Sequence, residues 1–282
     1  MKLVSYRDRR TDSFGVVAGG GVIDAGRRLG ERFGSLRAVL AAGALGEIGT
    51  ATAGRAPDVG LDEVELVPPI PDPGKILCVG LNYKTHIQET GRSDSEHPSI
   101  FVRFPESLVG HDRSLVKPRV SEQFDYEGEL AVVIGRPGWH IPPTEALGHV
   151  AGYACFNDGS IRDWQRHTSQ WTPGKNFRAS GACGPWLTTA DEVPDPTRLT
   201  LVTRLNGQEM QRATTDLLIF TIPVILAYVS SFTPLAPGDV IATGTPGGVG
   251  SRRTPPVFMH KGDTIEVDIS GIGVLRNPIE EE

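Results

Sequence analysis

The stretch FDYEGELAVVIG (124–135) constrains the fold more than any other part of this chain. Its run Leu130-Ala131-Val132-Val133-Ile134, closed by Gly135, is apolar and rich in β-branched residues, and it reads as a buried strand. Side chains alternate along a strand, so Glu127 and Glu129 at its entry project to one face. Two carboxylates side by side at the mouth of an apolar strand repel each other and resist burial. A divalent cation removes both difficulties, whereas Lys or Arg neighbours on an exposed face would be the plainer solution. Asp158, in ACFNDGSIRD, follows another short apolar run and offers a third carboxylate. Three carboxylates with no Cys or His among them favour Mg²⁺ or Mn²⁺ over Zn²⁺.

The rest of the chain agrees with a strand-rich fold. Its 34 glycines and 22 prolines among 282 residues point to many short strands joined by tight turns. A formal net charge of −6 argues against nucleic acid as a main partner, since phosphate backbones call for a basic face. No stretch approaches 18 consecutive apolar residues, so no membrane span is expected. Charge enters by residue 7, which argues against a secretory leader, and Cys78, Cys155 and Cys183 lack CxxC spacing. Reduced, buried cysteines and a cytoplasmic location are the expectation.

Residues 1–70 read as a small N-terminal α/β domain and 71–282 as the main body. The N-terminal part has two alternating segments around Gly19-Gly20-Gly21, then a helix opened by Ser35. The connector VPPIPDPGK (67–75) is too rich in proline for an element. Strands are predicted at 76–80, 99–104, 130–135, 150–156, 199–205, 240–243 and 264–269. Asn206-Gly207 predicts a type I′ hairpin, and Ile222 to Phe232 a helix with Pro223 in its first turn.

Several further segments carry polar groups that packing alone does not require. If the chain turns helical after Asn82, His86 and Glu89 share a face. A carboxylate beside an imidazole fixes its tautomer and raises its basicity, as a water-activating base needs. Spacing alone equally allows an incidental pair on a surface helix. Arg162 and Lys175 are cations suited to a substrate carboxylate or a developing oxyanion, and Asp163 is an alternative partner for Arg162. The loop GTPGGVG (244–250) leaves backbone N–H groups free but matches neither a Walker A loop nor a GxGxxG turn.

Taken together, CVGLNYKTH, FVRFPESLVGH, FDYEGELAVVIG, NDGSIRDWQ, GKNF, LNGQEMQ and APGDVIATGTPGGVG resemble the fumarylacetoacetate hydrolase family, in the same order and over about residues 75 to 278. The resemblance implies an α+β, mixed β-roll-like catalytic domain, a homodimer, and one Mg²⁺ or Mn²⁺ per site. By position, Glu127, Glu129 and Asp158 would hold the ion, and His86 with Glu89 would activate water. Lys175 would assist at the oxyanion, with its loss to Ala slowing the reaction without unfolding the protein. Tyr83, Arg162, Gln165 and Thr245 would line the pocket, and Ile87 to Pro98 would be a mobile lid. Leu81 stands where many short members have Arg, and Thr85 where Asp is frequent. The implied activity is hydrolysis of a C–C bond in an acylpyruvate-type 2-oxo acid of aromatic catabolism. Oxaloacetate decarboxylation, a 2-hydroxymuconate-type isomerisation, or silent binding of an oxo acid would use the same site.

Overall fold

The computed structural model describes residues 1–8, 11–91 and 95–282. At the centre of a 12-stranded mixed sheet lies Gly128–Ile134, buried at every position. It pairs antiparallel with Val150–Asn157 on one side and Val240–Ala242 on the other. Beyond Val240–Ala242 come Ile76–Gly80, in parallel, and then Ser99–Arg103. Beyond Val150–Asn157 come Gly181–Thr189 and the strands Lys2–Asp8, Thr11–Ala18 and Gly21–Asp24. A five-stranded sheet runs Gln208–Thr214, Thr200–Leu205, Thr264–Ile269, Gly273–Glu281, Leu115–Lys117. The fold is therefore a strand-rich α+β one with open mixed sheets, as expected.

The alternation of the central strand decides how the layers meet. Leu130, Val132 and Ile134 share a core with Leu201, Leu205, Ile265 and Val267 of the five-stranded sheet. Ala131 and Val133 belong to a second core, with Leu36, Val39, Leu40 and Ile48 of the N-terminal helices. Glu127 and Glu129 continue this second, odd-numbered face just past the helices' cover. Residues 1–67 thus add strands to the same sheet: Lys2 pairs with Thr188 and Leu3 with Leu187. Ser35 caps Leu36–Ala41, its hydroxyl accepting from the Ala38 N–H at 3.2 Å. The connector 68–75 carries no helix or strand.

The predicted strands occur within two residues of their expected bounds, and Ile222–Phe232 is the expected helix. Asn206 and Gly207 both have positive φ, 53° and 78°, as a type I′ turn requires. Two long strands were not anticipated. Gly181–Thr189 (GACGPWLTT) has the composition of a turn, yet it fills the gap between the central strands and Lys2–Asp8. Gly273–Glu281 holds Pro278 and a charged end, and is secured by pairing on both sides. Among the described residues, no helix is long and apolar enough to cross a membrane. Cys78, Cys155 and Cys183 are free and buried.

Candidate metal centre and imidazole–carboxylate pair

Strand register assembles the acidic cluster. Gly128 lies opposite Asn157, which sets Glu127 beside Asp158, and the Asp158 N–H donates to the Glu127 carbonyl at 2.8 Å. Glu127, Glu129 and Asp158 each present an oxygen within 4.8 Å of the others, and all three are at most 4% exposed. Three buried cations surround them. Lys175 Nζ donates to Glu127 Oε2 at 2.6 Å and Asp158 Oδ2 at 2.5 Å. Arg162 reaches Glu127 Oε1 at 2.6 Å and Asp125 Oδ2 at 2.8 Å, and Arg103 reaches Asp158 Oδ1 at 2.6 Å.

These contacts leave the cluster one positive charge short. Four buried carboxylates, counting Asp125, face three cations. Burial pushes Glu127 up, but Arg162 and Lys175 more than reverse this and hold it below the usual carboxylate range. Glu129 has no ion pair with a cation among the described residues; it accepts one N–H, from Gly244, at 2.8 Å. Burial, then the charges of Asp158 and Glu127, push its carboxyl well above the ordinary value. A buried acid in that position calls for a cation, and the all-oxygen donor set suits a hard one. Glu127, Glu129 and Asp158 therefore fit Mg²⁺ or Mn²⁺.

The second feature is built on the helix Lys84–Thr90, which ends at Gly91 in the left-handed region (φ 67°). His86 Nδ1 and Glu89 Oε1 lie 2.7 Å apart, one turn along it. The other oxygen, Glu89 Oε2, accepts the Gly248 N–H at 2.7 Å. With Nδ1–H donating its hydrogen bond to Glu89, Nε2 is the ring nitrogen left for the cavity that His86 lines. The adjacent Thr85 hydroxyl accepts the Gly247 N–H at 3.1 Å, so the glycine-rich loop is fastened to this helix twice. Gly248 has φ 102°, and a Cβ there would sit 2.3 Å from the Met210 carbonyl oxygen. Only glycine fits the turn that delivers this N–H.

A cavity of about 410 Å³ joins the two features. His86, Glu127, Glu129, Lys175, Gln165 and Thr245 all line it. Thr245 Oγ1 donates to the Gly128 carbonyl at 3.0 Å and accepts from Gln211 Nε2 at 2.8 Å. Gln165 Oε1 accepts from Arg162 at 3.0 Å. Tyr83, expected at the pocket, is instead packed in the main core and 2% exposed. Arg162 lines the cavity, but its partner is Asp125 rather than Asp163, which accepts the Ser121 hydroxyl. Lys175 is a counter-ion buried to 1%, so its loss would not affect rate alone. It would leave four buried carboxylates facing two cations, Arg103 and Arg162, at a cost of roughly 3–5 kcal/mol. Of the expected lid, residues 92–94 lie outside the described residues; Arg166, Thr168, Ser169 and Trp171 also line the cavity.

Sequence reasoning missed four anchoring residues. Asp125 accepts from Arg162 and from the N–H groups of Gly250 and Ser251. Arg103 and Gln211 are buried at 2% and support Asp158 and Thr245. Asn82, fully buried, donates to the Phe220 and Thr243 carbonyls. Asp125 alone had a signal, since it alternates with Glu127 and Glu129.

A buried group of three carboxylates that fits a hard cation, with an imidazole–carboxylate pair lining the same cavity through His86, sits in a strand-rich α+β fold with a large mixed sheet. Residues 75–280 match the family described as Fumarylacetoacetate (FAA) hydrolase C-terminal, and this chain belongs to that family. It is 42% identical over 231 residues to "Oxaloacetate tautomerase FAHD2A, mitochondrial" of Homo sapiens, covering 81% of this chain and 74% of that protein. A 5-carboxymethyl-2-hydroxymuconate delta-isomerase from Mycobacterium smegmatis superposes with a TM-score of 0.78 at 32% identity, covering 100% of this chain and 99% of that one. Maleylpyruvate hydrolase from Sphingobium sp. SYK-6, solved with manganese(II) ion and pyruvate, superposes with a TM-score of 0.83 at 29% identity, over 100% and 99%.

Proposed function

We propose that this chain is a Mg²⁺- or Mn²⁺-dependent enzyme acting on a 2-oxo acid, and that it hydrolyses the C–C bond of an acylpyruvate. The observation that carries the reading is the double fixing of Glu89, by His86 on one oxygen and Gly248 on the other, with His86 lining the same cavity as Glu127 and Glu129. A merely binding site needs no oriented base. Held by Glu127, Glu129 and Asp158, the ion would supply Lewis-acid stabilisation of the oxygen charge that develops as the bond breaks. His86 Nε2 takes a proton from water, and Glu89 steadies the imidazolium that forms. The resulting hydroxide adds to the distal carbonyl. Collapse of the adduct releases a carboxylic acid and leaves the bonding pair on the pyruvate fragment, which His86 reprotonates at carbon. Lys175 donates to Glu127 and Asp158 and holds them in place.

The identity to the human tautomerase favours a second reading, in which His86 moves a proton at C3 of oxaloacetate and no water adds. Decarboxylation of oxaloacetate would need still less of the pair. Acetylpyruvate, fumarylpyruvate and oxaloacetate, each with Mg²⁺, Mn²⁺ or EDTA, separate these outcomes. Pyruvate plus a carboxylic acid, released only with metal, is the expected result. Enol-to-keto conversion of oxaloacetate alone would install the tautomerase, and pyruvate with CO₂ the decarboxylase. Binding without turnover would reduce the chain to an oxo-acid binder. A homodimer in the cytoplasm is part of the same proposal, and light scattering of the purified chain reads its assembly.

A further inference from the structure

Three carboxylates alternate along the entry to the central strand, at 125, 127 and 129, yet only the last two join Asp158 in the group that fits an ion. Asp125 has other partners. The short ladder of Phe124–Asp125 with Ser160–Ile161 brings the next residue, Arg162, back to the Gln123 carbonyl, which accepts its N–H at 2.9 Å. From there Arg162 Nε donates to Asp125 Oδ2 at 2.8 Å, and Nη1 reaches Glu127 Oε1 at 2.6 Å. One guanidinium is thus divided between two carboxylates. Asp125 is fully buried, and backbone groups take its remaining acceptor positions. Oδ1 accepts the N–H groups of Tyr126 and Gly250, at 2.9 and 2.8 Å, and Oδ2 that of Ser251 at 2.9 Å. A carboxylate has roughly four lone-pair positions, so none is left on Asp125 for an ion.

The division matters for Glu127, both of whose oxygens are held by cations, Oε1 by Arg162 and Oε2 by Lys175. An ion drawing on Glu127 competes with both. With Asp125 counted, buried carboxylates outnumber cations four to three. Without it, Glu127, Glu129 and Asp158 are matched by Arg103, Arg162 and Lys175, and no negative charge is left over for a divalent cation. We propose that Asp125 is a positioning residue for the ion: it takes no ligand place, but by compensating Arg162 it leaves Glu127, Glu129 and Asp158 the excess negative charge that sets their affinity. The inference rests on reading those three carboxylates as the ion's ligands, and it adds the residue that tunes them.

Calorimetric titration of the metal-stripped full chain with Mn²⁺ tests it in the wild type, Asp125→Asn, Arg162→Gln and the double variant. Asn keeps the size of Asp and removes its charge. Asp125→Asn should bind Mn²⁺ roughly 10- to 100-fold more weakly than the wild type. Removing the compensated cation as well, in the double variant, should return the affinity to within roughly threefold of wild type. A merely structural anchor would not be rescued by losing its partner too. Asp125→Asn leaves a buried guanidinium without its counter-ion, and should that variant fail to fold, the other two carry the test. Arg162→Gln, which keeps the Asp125 charge, should then bind Mn²⁺ at least roughly tenfold more tightly than the double variant. Wild-type affinity in Asp125→Asn, no recovery in the double variant, or equal affinities of Arg162→Gln and the double variant overturn the inference and leave the ion site standing. If the wild type itself binds no Mn²⁺, both fall.

Discussion

Glu129 is the carboxylate of the cluster that has no ion pair with a cation among the described residues. Its raised value means that the folded chain without metal binds this proton more tightly than the unfolded chain does. By linkage, its contribution to stability then falls as pH rises above the ordinary glutamate value of 4.5. Glu127 works in the opposite direction, its contribution being lost only in acid. In EDTA at neutral pH, Glu129→Gln should therefore melt no lower than the wild type. With Mn²⁺ at a hundredfold excess over its Kd, the wild type should gain about 2.7 kcal/mol that the variant lacks. Thermal melts across pH with and without Mn²⁺ check both statements, and an equal Mn²⁺ gain in the variant would remove Glu129 from the ligand set. His86→Ala tests the pair: hydrolysis should fall roughly 10²- to 10⁴-fold while Mn²⁺ affinity is kept.

At the scale of elements, the site depends on one loop gripping one helix. The helix Lys84–Thr90 spans barely two turns, too short to hold itself, and the N–H groups of Gly247 and Gly248 fix it from outside. Gly248→Ala forces a Cβ against the Met210 carbonyl at a positive φ, a strain of about 1–3 kcal/mol. The loop should relieve it by giving up Glu89. Steady-state kinetics should then show kcat reduced while Mn²⁺ affinity stays near wild type; an unchanged kcat would show that Glu89 needs no second support. Most of these elements were readable, because β-branched runs bounded by glycine declare themselves locally. The strand Gly181–Thr189 did not, since its stability comes from neighbours on both sides rather than from its own residues.

At the scale of the molecule, the N-terminal part is bound into the main sheet. Leu36 is fully buried in a core that also holds Ala131, Val133 and Phe156. Leu36→Ala should cost about 2–5 kcal/mol. If the shared core governs cooperativity, urea unfolding should show a single transition by fluorescence and circular dichroism alike, shifted as a whole in the variant. Two transitions, only one of them moved, would mark residues 1–70 as an independent unit. The same core lies under the odd-numbered face that carries Glu127 and Glu129, so loosening it should also weaken metal binding.

The residue types of the site were legible in the sequence: carboxylates at the mouth of an apolar strand, and an imidazole three residues from a glutamate. Those are local facts, set by the alternation of a strand and the turn of a helix. What surrounds them was not. That Lys175 is paired, that Tyr83 packs in the core, and that Asp125 and Arg103 complete the charge balance depend on partners elsewhere in the chain, 17 and 48 residues away for Lys175, 37 for Asp125 and 55 for Arg103. Only the tertiary arrangement of strands and short helices brings such groups into one low-dielectric space, and there the count of charges, not the motif, decides what the site will accept.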